Sequence, residues 1–155
     1  MEFVGMVEHT VAGMVREARR SPRLLIGDSP FRGKVDSPAD VAAAWPELAT
    51  AEREVFGILV LNTRNFATRR VVVSIGTLNA SLVHPREVYR AAILYSAASI
   101  IAVHNHPSGD LEPSDEDVAI TQRLARCGDL MGIALLDHVI VSKRGHYSLR
   151  GEGNF

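Results

Sequence analysis

The run of apolar and polar positions divides the chain into a small set of helices and strands. Thr10 to Arg20 reads as a helix, with Val11, Met14, Val15 and Ala18 on one face. Arg16, Arg19 and Arg20 fall near its C-terminal end, where positive charge suits the helix dipole. Ser21-Pro22 ends it, Leu24-Leu25-Ile26 suits a short strand, and residues 27–37, with Pro30 and Gly33, read as loop. Ser37-Pro38 places a cap and a proline at the start of a helix that runs to Trp45 and stops before Pro46. Trp45 reads as a packing residue.

Val55 to Leu61 is apolar on both faces, the pattern of an interior strand. A turn at Asn62-Thr63-Arg64-Asn65 and a return strand from Arg69 to Ile75 complete a hairpin. His84-Pro85 opens a helix through Ala98, with Val88, Ala91, Ala92 and Tyr95 inward. A buried strand then begins at Ser99 and continues to His106, where Pro107 stops it. Ser114-Asp115-Glu116-Asp117 has the S/T-x-x-D/E form that opens helices, here from Asp115 to Cys127, ending near Gly128. Ile133 to Val141 is another strand, and Tyr147-Ser148-Leu149 pairs with it across Lys143-Arg144-Gly145. The order predicts an α/β domain with a mixed β-sheet and helices packed on it.

Two of these elements bring chemistry together. The strand period of two puts His104 and His106 on one face and Asn105 on the other. Asp117 lies three residues before Ile120 and seven before Leu124, on the apolar stripe that Ile120, Leu124 and Cys127 define. An inward carboxylate beside two inward imidazoles needs a partner, because an unpaired buried charge is costly. A divalent metal answers that need. Two histidines and one aspartate leave a fourth position open, the layout of catalytic zinc sites. Upstream, Glu54 stands at the mouth of the Val55–Leu61 strand, in phase with Phe56, Ile58 and Val60, and is a candidate acid/base group. Glu52 shares that parity one step further out. Ser114 has the position of a helix N-cap. Asp137 and His138 fall on opposite faces of their strand; either can back a metal ligand, but both are read as structural and neither as catalytic. Residues 104–106 spell His-Asn-His, yet nucleases of that name spread their residues over a ββα unit, so the letters coincide by chance.

Composition narrows the classes. A chain of 155 residues with 46% hydrophobic positions can bury a real core. A net charge of −1 gives no global basic field for nucleic acid. The single cysteine excludes a disulfide framework and a cysteine zinc cluster. No apolar run approaches the roughly 20 residues of a membrane span. The early acids Glu2 and Glu8 break the order of a signal peptide, so the expected setting is cytoplasmic, with no membrane association.

The pattern His-x-His-Pro followed by Ser-x-x-Asp resembles the signature of the JAMM, or MPN-plus, metallopeptidase domain. His84-Pro85-Arg86-Glu87, His104-Asn105-His106-Pro107-Ser108-Gly109-Asp110, Pro113-Ser114 with Asp117, and Leu136-Asp137-His138-Val139-Ile140 narrow the likeness to the bacterial RadC-like branch. It covers residues 37 to 149, dividing the chain into an N-terminal helix and loop (1–36) and a RadC-like domain (37–155). The resemblance implies a three-layer fold similar to cytidine deaminases, and one zinc ion held by His104, His106 and Asp117. It supports Glu54, in the family's Glu-x-Phe word (Glu54-Val55-Phe56), as general base. It gives Ser114 the hydrogen bond to the oxyanion. The implied activity is hydrolysis of an amide bond in a protein or peptide substrate. RadC-like proteins also carry a DNA-repair label. With only residues 1–36 before the match and no basic surface, direct nucleic-acid binding lacks its physical basis. The alternative is a DNA-repair-associated or protein-interaction module whose metal is structural; the open fourth position argues against it. Substrate and oligomeric state are not legible.

Overall fold

The computed structural model describes residues 27–76 and 83–155. The helix expected over Thr10–Arg20 and the strand at Leu24–Ile26 lie outside these residues. Six strands form one sheet in the order β1-β3-β2-β4-β5-β6. They are β1 (Gly27–Lys34), β2 (Val55–Leu61), β3 (Phe66–Ile75), β4 (Ser99–Asn105), β5 (Ala134–Ser142) and β6 (Gly145–Ser148). Among the described residues three α-helices accompany them: α1 (Pro38–Ala44), α2 (Pro85–Leu94) and α3 (Asp115–Met131). A 3-10 helix at Pro46–Thr50 follows α1.

Only β4 and β5 run parallel, and α3 is the crossover between them; the other pairings are antiparallel. The sheet is therefore mixed, as the pattern predicts. One face, with Phe56, Ile58, Val60, Ile100 and Ala102, packs on Val88, Tyr89, Ala91 and Ala92 of α2 and on Ile120 and Leu124 of α3. The other, with Leu59, Leu61, Ile101, Val103, Val139 and Val141, packs on Val41, Ala44, Trp45 and Leu48. These are the three layers that the resemblance implies. Strand β2 is buried at all seven positions because both layers cover it.

Several boundaries differ from the expectation. Residues 27–34, read as loop from Pro30 and Gly33, form the edge strand β1 on β3, with a register shift between those two residues. An edge strand needs ladder bonds on one side only, so it tolerates proline and a bulge. Strand β3 starts at Phe66, three residues before Arg69. Helix α2 stops at Leu94 rather than Ala98. Ser96 turns left-handed at φ 53, and the Ala98 N–H is committed to the Leu61 carbonyl at 2.9 Å. Helix α3 passes Gly128 and ends at Gly132, which takes the left-handed conformation at φ 70. Gly128 serves close packing: a Cβ there would collide with the Tyr89 hydroxyl and the Ile133 carbonyl.

Candidate metal centre

The site lies at the C-terminal end of β4, where that strand meets the head of β2 and the first turn of α3. His104 sits on the α3 side of the sheet, fully buried, and stacks on Phe56 at a centroid distance of 6.1 Å. His106 follows just beyond the strand, its ring near the surface. Their Nε2 atoms approach to 2.9 Å. Asp117 is 1% exposed and turns its carboxylate to both: Oδ1 is 3.4 Å from His104 Nε2, and Oδ2 is 3.3 Å from His106 Nε2. Glu54 reaches the same place from β2, with Oε1 3.7 Å from His106 Nε2. The donor atoms of Glu54, His104 and His106 all lie within 4.8 Å of one another.

Local sequence explains the aim of Asp117. It is the third residue of α3, and Ser114 is the N-cap. The Ser114 hydroxyl accepts the Asp117 N–H at 3.1 Å, and Asp117 Oδ2 accepts the Ser114 N–H at 2.8 Å. This reciprocal capping box fixes the carboxylate before any ion is considered. Burial opposes its charge, but N–H donation from His104 and His106 in their charged forms, and from the Ser114 backbone, holds its carboxyl well below the usual carboxylate range. Chiefly through its hydrogen bond to Asp117, and against the pull of burial, His106 is shifted above its ordinary value.

The hydrogen-bond directions test whether a cation fits. His106 Nδ1 lies 2.9 Å from the Asp110 carbonyl oxygen, which can only accept, so Nδ1 carries a proton. The charged ring donates Nε2–H to Asp117; the neutral ring that a metal requires turns an Nε2 lone pair there instead. His104 Nδ1 faces His138 Nε2 at 2.6 Å, leaving its own Nε2 for the same point. Two imidazole lone pairs and a carboxylate converge. Ligands around a tetrahedral zinc stand about 3.3 Å apart, given metal–ligand bonds of about 2.0–2.1 Å. His104 Nε2 lies 3.4 Å from Asp117 Oδ1 and His106 Nε2 3.3 Å from Oδ2, each near that edge but to a different oxygen, and the 2.9 Å between nitrogens is shorter. Imidazole and carboxylate donors suit a divalent metal ion.

The sequence-predicted residues Glu54, His104, His106, Ser114 and Asp117 thus meet at one place. Beside His106 a cleft of about 390 Å³ opens between Ser108, Asp110, Glu112, Pro113 and Ser114. A larger hollow of about 650 Å³ lies elsewhere, under Arg126, Arg150 and Phe155; there Arg150 donates to the Leu135 and Leu136 carbonyls. Three residues that touch the site were not assigned to it from sequence. His138 contacts His104, and Thr121 contacts His138 at 2.5 Å. Burial, then the neighbouring His104, pushes His138 well below its ordinary pKa, so it is neutral. Asn105 binds the chain beside Glu54, as its Oδ1 accepts the Val55 N–H. Asp137 has a structural place: it accepts from His138 N, Ser148 Oγ and Arg150 N.

A mixed sheet between helical layers, with imidazole and carboxylate donors at the end of a central strand, defines an α/β domain equipped to hold a metal ion. The chain belongs to the RadC-like JAB domain family, whose model matches residues 35–154. A UPF0758 protein of Methanosarcina acetivorans is 46% identical over 144 residues, covering 92% of this chain and 62% of that protein. A UPF0758 protein of Listeria monocytogenes is 51% identical over 122 residues, covering 78% of this chain and 54% of that protein. The chain thus spans about three-fifths or less of the length of these curated relatives. Their names state no activity. Among the described residues no helix is long and apolar enough to cross a membrane.

Proposed function

We propose that the chain is a metal-dependent peptidase or isopeptidase, with one zinc ion held by His104, His106 and Asp117. The observation that carries this reading is the convergence of two Nε2 lone pairs on a carboxylate that the Ser114 capping box holds in place. Bound there, zinc supplies Lewis acidity, polarising a carbonyl and lowering the pKa of water toward about 7.

The chain's own residues divide the remaining work. Asp117 is the buried ligand; the Glu54 side chain is 18% exposed and farther from His106 Nε2, at 3.7 Å against 3.3 Å. Glu54 is the general base: it takes a proton from the attacking water and delivers it to the leaving amine. Ser114 accepts a backbone N–H with its lone pair, so its O–H can donate to the oxyanion. The cleft beside His106 admits the substrate, a protein or peptide, in a cytoplasmic setting. That opening disfavours the alternative of an interaction or repair-associated module with a closed structural metal.

Metal content of the purified chain, by elemental mass spectrometry, tests the reading. About one zinc per chain, lost in His106→Ala, is the expected result. Glu54→Gln should keep the zinc and abolish cleavage of a quenched-fluorescence peptide library that the wild-type chain cleaves. Absence of zinc uptake by the wild-type chain, or a fully active Glu54→Gln, overturns it.

A further inference from the structure

Behind His104 a chain of buried hydrogen bonds crosses three elements and returns to Asp117. The Thr121 hydroxyl oxygen lies 2.5 Å from the Asp117 backbone carbonyl and 2.5 Å from His138 Nδ1. Two oxygen lone pairs do not approach so closely, so the Thr121 O–H donates to the carbonyl. Its lone pair then faces His138 Nδ1, which must carry the N–H. The His138 ring is 0% exposed and lies between His104 and the Thr121 hydroxyl, neither of which offers a countercharge, so it holds a single ring proton and its Nε2 is a lone pair. That lone pair faces His104 Nδ1 at 2.6 Å, and His104 in turn carries its proton on Nδ1. His104 Nε2 is left bare and points at Asp117 Oδ1. Every group of this chain is buried: Thr121, His104 and His138 are all 0% exposed, so water does not compete for their bonds.

We propose that Thr121, acting through His138, is the positioning residue that fixes the tautomer of His104 and so keeps its Nε2 available to a metal. The direction of the chain is set at its far end. The Asp117 carbonyl cannot donate, so Thr121 can only accept from His138. Without the hydroxyl the chain is free to reverse. His138 then moves its proton to Nε2 and donates to His104 Nδ1, and the His104 proton moves to Nε2, where Asp117 accepts it. A metal must displace that proton to bind. Partners behind a ligating histidine fix its tautomer in this way, and their loss typically costs 10–100-fold in metal affinity. The loop also ties β4, β5 and α3 together at the site, so the same atoms register Asp117 against His104. This inference rests on His104 being a metal ligand, the reading above.

Thr121→Val keeps the side-chain shape and removes the hydroxyl; Thr121→Ser keeps the hydroxyl. Zinc affinity is measured by competition with a chromogenic chelator, and the His138 tautomer in metal-free protein by long-range proton–nitrogen NMR. The expected result is a 10–100-fold loss of zinc affinity in Thr121→Val and near wild-type affinity in Thr121→Ser. The His138 proton sits on Nδ1 in wild type and Thr121→Ser, and on Nε2 in Thr121→Val. Equal zinc affinity in wild type and Thr121→Val, or an unchanged tautomer, overturns the proposal while leaving the metal centre standing. No zinc uptake by the wild-type chain overturns the metal centre itself, and with it any use for the relay. Should Thr121→Val not fold, His138→Gln against His138→Leu makes the same comparison. Gln can offer an oxygen to His104 and an N–H to Thr121, so Gln should bind zinc more tightly than Leu; parity sinks the idea.

Discussion

The Asn105 side chain holds the backbone on both sides of Glu54. Its Oδ1 accepts the Val55 N–H at 2.7 Å, and its amide donates to the Arg53 carbonyl at 3.0 Å. Asn105 stands between the two histidines in sequence but faces the opposite side of the sheet. One strand end therefore supports the imidazoles on one side and places the candidate base from the other. Asn105→Leu leaves the buried Val55 N–H without its acceptor, which costs about 1–3 kcal/mol. Urea unfolding should register that loss while zinc stoichiometry stays at the wild-type level. A variant that loses its zinc would show that Asn105 acts on the histidines instead.

Ser114 caps α3 and orients Asp117 through the same pair of hydrogen bonds. Ser114→Ala should lower stability by about 1 kcal/mol. Zinc affinity should stay near the wild-type value, because the backbone N–H that Asp117 Oδ2 accepts remains in alanine. Thermal melts and chelator competition on one sample read both; an affinity that falls along with stability would show that the hydroxyl also positions the ligand.

Gly57 lets Trp45 lie against the sheet. A Cβ at this position would stand 2.5 Å from Trp45 Cη2 and 2.8 Å from the Val71 carbonyl. Alanine ordinarily suits a strand better than glycine, but here overpacking wins. Gly57→Ala should destabilise by about 1–3 kcal/mol. Denaturant midpoints check it, and a stabilised variant would mean that Trp45 moves aside without cost.

Tyr89 donates to the Leu124 carbonyl at 2.7 Å and is 3% exposed. Burial, with smaller contributions from Cys127 and Asp129, pushes its hydroxyl up from 10.0 to about 12. The unfolded chain ionises first. Stability from this group is whole below pH 10 and is lost as pH rises through 12, by about 3 kcal/mol for a shift of this size. Tyr89→Phe removes that part of the alkaline slope, although it starts less stable because the Leu124 carbonyl loses its donor. Urea midpoints of both proteins from pH 9 to pH 12 should converge as pH rises; parallel curves would rule it out.

Excess zinc should raise the unfolding free energy of the wild-type chain, by about 2.7 kcal/mol at a free concentration 100 times Kd. His106→Ala should show no such rise in a calorimetric scan. An equal rise in both would place the binding elsewhere.

Local signals determined much of this domain. The doubly apolar run of β2, the cap pair Ser114 and Asp117, and the two-residue spacing of His104 and His106 act within a few residues of one another. Period and capping suffice to read them, and the five candidate site residues do meet. What the sequence left open depends on partners distant in the chain. Strand β1 exists because β3 offers it an edge, despite Pro30 and Gly33. Helix α3 runs past Gly128 because Tyr89 and Ile133 fill the space a side chain would take. His138 shows the limit most clearly. Parity separates it from Asp137 but does not say which of them faces the site. The register shifts by one residue between Ile100 opposite Leu135 and Ile101 opposite Asp137. That bulge reverses the alternation, turning His138 rather than Asp137 toward α3 and onto His104. A one-residue shift flips every side chain beyond it, and its position is set by pairing across the sheet.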